Sequence, residues 1–218
     1  MAQMAGGDGA TVDGQEAAGA ASEPMTRRER KRFERMQWIL DVTAAQLTHR
    51  GYHHMSLEDV ASELDLTKAS IYHYFDSKEA LVLTVLEACA TDVNRQLWDA
   101  AKSDESASDR LQRMIEIQIR SVVWNYPEAA RLFTSSDDWP DEIGVRVRKW
   151  RQEHDDAFKV VFREGIASGE FDVLDGRVAR FALHGAMHGA SNWIEDGDLD
   201  ERLLDTVVQQ FLRFVIAR

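Results

Sequence analysis

Apolar residues recur three and four positions apart along most of the chain, and no stretch of any length alternates apolar with polar. That spacing is the 3.6-residue period of amphipathic helices, so the expected fold is all-α. Ile39, Thr43 and Leu47 step by four through a first helix over 27–50, and Gly51 stands where a left-handed residue would end it. Ser56 with Asp59 three residues on resembles a capping box and starts a short helix whose apolar face is Leu57, Val60, Ala61 and Leu64. The pattern breaks at Asp65-Leu66, Thr67 caps a second short helix over 68–74, and Ser77 caps a long helix from Lys78 to Lys102. Further helices are expected near 108–125, 127–134, 140–168, 175–194 and 200–217. Two short helices joined by a tight turn and backed by a leading helix make a tri-helical helix-turn-helix unit over 25–80. Residues 81–218 are then a helical bundle, and residues 1–24, short of large apolar side chains, an unstructured tail.

A net charge of −12, from 26 basic and 38 acidic residues, argues at first against a nucleic-acid partner. Its distribution reverses that reading. Residues 1–24 hold four acids and no base, residues 25–80 hold nine of each, and residues 81–218 hold 17 bases and 25 acids, or −4, 0 and −8. Within the neutral segment Arg27, Arg28, Arg30, Lys31, Arg32 and Arg35 form a basic arm against Glu29 and Glu34. Cys89 is the single cysteine, which excludes an intramolecular disulfide and suits a reducing compartment. No secretion signal and no run of 18 apolar residues occurs, so the expected location is the cytoplasm, away from membranes.

A helix that reads the major groove needs a short, polar exposed face able to donate to phosphates and base edges. Lys68, Ala69, Ser70, Tyr72, His73 and Tyr74 supply that face, with Thr67 at its head, while Leu66, Ile71 and Phe75 are its buried side. Lys78 and the first amides of the helix capped by Ser77 form a candidate phosphate clamp. The run from Met55 through Ser56-Leu57-Glu58-Asp59-Val60-Ala61, Leu64-Asp65-Leu66-Thr67-Lys68-Ala69-Ser70-Ile71-Tyr72-His73-Tyr74-Phe75 and Ser77-Lys78-Glu79-Ala80-Leu81 resembles the signature of TetR-family repressors. The resemblance covers about a quarter of the chain. It implies a DNA-binding regulator in which Lys68, Ala69, Ser70 and Tyr72 face bases and Ser56, His73, Tyr74 and Lys78 face phosphates. Asp65 and Ala69 depart from the glycines frequent in the family; aspartate tolerates the left-handed turn, and Ala69 bears on base preference.

The last helix carries Leu203, Leu204, Val207, Val208, Phe211, Leu212 and Val215, a stripe broader than one buried face requires. With the small residues Ala182, Gly185, Ala186, Gly189 and Ala190 and then Trp193 on the preceding helix, it is expected to build a homodimer interface. The candidate contacts are Ala182, Gly189, Trp193, Leu204, Val208, Phe211, Leu212 and Val215. Dimerisation also suits a palindromic double-stranded operator, since paired recognition helices about 34–36 Å apart meet successive major grooves.

Trp98, Met114, Gln118, Trp124, Trp150, Phe162, His184, Met187 and His188 are the candidate lining of an effector cavity in the bundle, which is mostly apolar with a few polar groups. Two segments, Tyr126–Phe133 and Glu164–Phe171, resemble TetR members of lipid and acyl-CoA metabolism and point to a hydrophobic, acyl-type effector. The family resemblance implies that such a ligand tilts the helix from Lys78 and breaks the groove spacing. A constitutive DNA-binding dimer without effector is the alternative. Further off lies a metal site or enzyme using His184 and His188, four apart, with His154 as third ligand. No phosphate-binding loop, dinucleotide turn or nucleophile elbow is present, so no cofactor and no enzymatic activity are expected.

Overall fold

The computed structural model describes residues 25–133, 139–194 and 200–216. The tail expected over 1–24 lies outside them. The described residues form nine α-helices: α1 (Arg27–His54), α2 (Leu57–Glu63), α3 (Lys68–Tyr72), α4 (Lys78–Ala101), α5 (Ala107–Arg120), α6 (Pro127–Leu132), α7 (Asp141–Ser168), α8 (Gly176–Gly189) and α9 (Glu201–Leu212). An isolated antiparallel bridge between Phe171 and Ile216 is the nearest these residues come to a strand. The fold is all-α, as the hydrophobic period predicts.

Most helix starts follow from a hydroxyl or carboxylate at the N-cap, which satisfies an otherwise orphaned backbone donor. Ser56, Thr67 and Ser77 accept from the backbone N–H of Asp59, Ser70 and Ala80 at 3.1, 3.2 and 3.0 Å. The box at Ser56 is half made, because the Asp59 carboxylate turns away to Arg50 at 2.8 Å. Thr26 and Glu29 form the complete box at the head of α1. Asp65 sits in the left-handed region with φ 53°, making the turn between α2 and α3 without glycine.

Three elements differ from the sequence expectation. Gly51, with φ 73° and ψ 169°, breaks α1 as expected, but one further helical turn carries Tyr52 back into the core. The helix expected over 108–125 ends at Arg120 and passes into a π-helical turn, Ser121–Asn125, closed by the Tyr126 N–H to Ser121 O at 3.0 Å. A wider turn there turns Ser121 toward the bundle interior, where such bulges commonly serve a site. The last helix stops at Leu212, because the chain then turns so that Asp172 N–H donates to Val215 O at 2.9 Å.

α4 and α7 cross at the centre, with α5 packed on both and α9 closing over α5. Val85, Leu86, Leu97, Leu111, Ile115, Phe158 and Val161 are buried between them, each such side chain contributing ~1.5–3 kcal/mol on leaving water. α1 lies across the start of α4 and against α6, tying the helix-turn-helix to the bundle, and Thr48 donates to Glu128 O at 3.0 Å in that contact.

The broad stripe on α9 has a different owner from the one expected. Leu204, Val208, Phe211, Leu212 and Val215 are buried inside the protomer. α9 packs on α5, and in the protomer these five side chains are at most 7% exposed. Ala182 and Trp193 are exposed and Gly189 is half-buried.

Candidate nucleic-acid interface and ligand cavity

Of the residues expected to meet DNA, Thr67, Lys68, Ala69, Tyr72 and His73 are exposed on one side of α3 and its turn, and Ser56, Ser70 and Tyr74 are half-buried beside them. Ile71 and Phe75 are buried, which orients that face outward. Lys68 Nζ lies 2.5 Å from the Glu58 carboxylate and 5.8 Å from the Tyr72 ring centroid, so α2 steers its ammonium. Ser70 Oγ is 2.9 Å from Thr67 Oγ1. The basic arm reaches the same face: the Arg32 guanidinium lies 5.9 Å from the centroid of the Tyr74 ring. The sequence alone did not distinguish that arm from a solvated helix start, because only the fold sets α1 beside Tyr74.

Lys78 occupies a different place from a phosphate clamp. Its ammonium donates to the carbonyls of Tyr52 at 2.5 Å and Met55 at 2.7 Å and lies 4.3 Å from the Tyr52 ring centroid. Burial holds its pKa below the usual lysine value. Beside it the Tyr52 hydroxyl donates to Glu79 Oε1 at 2.5 Å. A cation thus closes the last carbonyls of α1, where the helix would otherwise leave them unpaired.

A partly open cavity of about 540 Å³ lies between α4, α5, α7 and α8. Of the candidate effector residues, Gln118, Trp150, His184 and His188 line it. The other candidates do not. Met114 and Met187 are wholly buried in the core, and Phe162 packs on Phe171 with ring centroids 5.5 Å apart. Trp98 is half-buried at the far end of α4 with Lys102 5.2 Å from its ring centroid. Trp124 is exposed in the π turn under Arg120. The Cys89 thiol forms part of the wall, its pKa pushed up to about 12 chiefly by burial, which leaves it protonated and unreactive.

One wall is polar. His154 Nε2 donates to Gln118 Oε1 at 2.7 Å, and the ring of His154 lies 5.1 Å from that of His184. Asp155 forms an ion pair with Arg180 and a second with Lys159 at 3.3 Å. Asn94 Nδ2 donates to Trp150 O at 3.1 Å and joins α4 to α7. Arg180, Asp155 and Asn94 went unrecognised in the sequence, although Arg180, His184 and His188 step by four and so share one face of α8. Burial, more than charge, pulls the pKa of all three histidines down: His154 well below its ordinary value, His184 to about 3, and His188 below its ordinary value as well. The wall therefore offers neutral imidazoles. No group of three or more metal-ligating side chains with metal-site geometry occurs among the described residues.

Residues 39–85 match the family model described as bacterial regulatory proteins, tetR family, and residues 104–215 match the tetracyclin repressor-like C-terminal domain. The chain belongs to the TetR family. The HTH-type transcriptional repressor KstR2 of Rhodococcus jostii is 23% identical over 187 residues, covering 82% of this chain and 87% of that protein. The structure of the ketosteroid transcriptional regulator KstR2 of Mycobacterium tuberculosis superposes with a TM-score of 0.73 at 19% identity, over 84% of this chain and 96% of the other. The crystal structure of AibR in complex with isovaleryl coenzyme A and operator DNA gives 0.70 at 18% identity, over 84% and 98%. As a TetR-family member the chain is a DNA-binding transcriptional regulator, which sets the enzymatic alternative aside.

Two outcomes follow from this geometry. Lys78→Met is expected to cost about 1–3 kcal/mol of stability, the cost of leaving buried carbonyls unpaired. The slope of log affinity for DNA against log salt should stay within about half a unit of wild type, because a lost phosphate contact lowers it by about 0.9. A slope smaller by that full amount in a variant of unchanged melting temperature would return Lys78 to the DNA backbone. The second concerns pH. Histidines whose folded pKa is depressed bind fewer protons than the unfolded chain between about 6.5 and, for His184, about 3. Stability is therefore full above about pH 7 and falls as pH drops through that window, by up to ~1.4 kcal/mol per unit for each histidine. Melting temperatures from pH 7.5 to 5 should show this fall, shallower in His184→Phe. An equal slope in the two proteins would count against a neutral buried His184.

Proposed function

We propose that this regulator is a homodimeric repressor that holds a palindromic operator through α3 and is released when a small, largely apolar or acyl-type molecule enters the cavity. The observation that carries the reading is the 540 Å³ cavity, which falls in the range of organic-ligand sites and is walled by the same helix that starts beside α3. α4 is 24 residues long, spanning about 36 Å. Its first turn holds the end of α1 through Lys78 and Glu79, and its middle carries Cys89, Ala90, Val93 and Asn94 on the cavity wall. A ligand that favours a tilted α4 changes the separation of two recognition helices, and a coupling of about 1–3 kcal/mol gives a 5–150-fold change in affinity.

The named relatives support both halves: KstR2 is called a repressor, and AibR was captured with an acyl coenzyme A and with operator DNA. A regulator without effector has less reason to keep an open space beside Trp150 and His184, since interiors otherwise pack tightly. For the dimer, α8 exposes Val178, Phe181, Ala182 and Gly185 on one face, with Trp193 beyond them, and the two small residues allow a second helix to approach closely. DNA-facing residues are assigned as Thr67, Lys68, Ala69, Ser70, Tyr72 and His73, with the arm from Arg27 to Arg35 adding phosphate contacts. The single buried cysteine suits a reducing cytoplasm, and no helix among the described residues is long and apolar enough to cross a membrane.

Selection of binding sites from random duplex DNA, repeated with a metabolite pool, tests this directly. The expected product is a two-fold symmetric site with half-site centres about one helical turn or a multiple apart, whose recovery falls when the pool is present. An asymmetric single half-site recovered equally with and without the pool would overturn the proposal.

A further inference from the structure

The pair of short helices assigned to DNA is poor in positive charge. Between Arg50 and Lys78 the chain holds no arginine and a single lysine, Lys68, against the acids Glu58, Asp59, Glu63, Asp65 and Asp76. Lys78 itself is turned inward to the carbonyls of Tyr52 and Met55. The remaining cation is already held: Lys68 Nζ donates to Glu58 Oε1 at 2.5 Å, reaching back from α3 to the first turn of α2, and both residues are exposed. Lys68 lowers the pKa of the Glu58 carboxyl by this hydrogen bond, and Glu58 raises that of the ammonium, so both groups stay charged. The neighbouring acid has another partner, since the Asp59 carboxylate pairs with Arg50. An exposed ion pair of this kind contributes little to folding stability. Its effect is on where the ammonium goes.

We infer that Glu58 is a specificity-determining residue: by holding Lys68 it keeps that lysine off the phosphates and reserves it for a guanine in the major groove. This rests on the assignment of α3 to DNA. Phosphates occur along any duplex and carry no sequence information, so a lysine free to reach them strengthens binding everywhere. To reach one, Lys68 has to leave Glu58, which strands a carboxylate on a face turned toward a polyanion. Guanine is different. It presents O6 and N7 side by side, and an ammonium has three N–H donors, so one stays on Glu58 while two meet the base. Discrimination then comes from what the wrong contact costs as much as from what the right one gains. The charge for the phosphates is carried elsewhere: Arg27, Arg28, Arg30, Lys31, Arg32 and Arg35 lie along the start of α1, and the Arg32 guanidinium reaches the Tyr74 ring just beyond α3. The arm holds the duplex and Lys68 reads it.

Fluorescence anisotropy of the full chain on two labelled duplexes tests this: a site recovered by selection, and a permutation of it with the same base composition. Glu58→Gln, which keeps the shape and removes the charge, should bind the permuted duplex at least about fivefold more tightly. Its plot of log affinity against log salt on that duplex should steepen by about 0.9, the increment of one phosphate contact. Affinity for the selected site should stay within about twofold of wild type. In a Lys68→Gln background the same substitution should leave the slope as it was, because no lysine remains to be released. Unchanged discrimination between the duplexes, an unchanged slope in Glu58→Gln, or a steeper slope that persists in the Lys68→Gln background overturns the inference. Tyr72→Ala keeps the two readings apart. Undiminished binding of both duplexes by that variant removes α3 from the DNA face and the inference with it. Weakened binding there, with unchanged discrimination in Glu58→Gln, removes the inference alone.

Discussion

The buried ammonium of Lys78, closing the broken end of α1, is the contact on which the rest of the arrangement depends. Gly51 interrupts α1 in the left-handed region, so the turn that follows would leave the carbonyls of Tyr52 and Met55 without donors. Lys78 supplies them from the first turn of α4, and Glu79 next to it receives the Tyr52 hydroxyl. The leading helix and the central helix are thereby locked at the point where α3 ends. Any tilt of α4 therefore acts on the end of α1. Tyr52 also meets Trp139, with ring centroids 6.1 Å apart, so the start of α7 abuts the same junction.

Along its middle α4 has a second neighbour, the cavity. The chamber survives because its wall sets polar groups from four helices against one another instead of letting apolar side chains collapse into the space. Ion pairing of Asp155 with Arg180, the His154–Gln118 hydrogen bond and the Asn94–Trp150 tie each join two helices. Such groups are favourable only when paired and costly when not, which makes the wall sensitive to what enters beside it. In the proposed function a ligand acts on the middle of the helix whose first turn holds the end of α1.

Local chemistry made the helix-turn-helix legible in the sequence: hydroxyl caps at Ser56, Thr67 and Ser77, a left-handed aspartate at position 65, and a polar face over buried Ile71 and Phe75. The cavity was only partly legible. Gln118, Trp150, His184 and His188 were recognisable as unusual side chains on bundle helices, but Met114, Phe162 and Met187 share the same sequence character and are core. Period alone gives the buried face of a helix, not whether that face meets a neighbour or an open space. The stripe on α9 misled for a related reason, since width reveals how much of a helix is covered and not by which chain. Lys78 was misplaced because a cation next to a helix N-terminus is equally suited to a phosphate outside and to carbonyls within, and only the path of α1 decides.

The central claim is that the state of the cavity sets the affinity for DNA through α4, and it is testable without knowing the ligand. Ala90 is buried on the α4 wall of the cavity, and Ala90→Phe fills that space from within. Operator affinity of this variant, measured by fluorescence anisotropy at fixed salt with its helix content verified, should fall by at least about fivefold. Wild-type affinity in a folded Ala90→Phe protein would contradict the account.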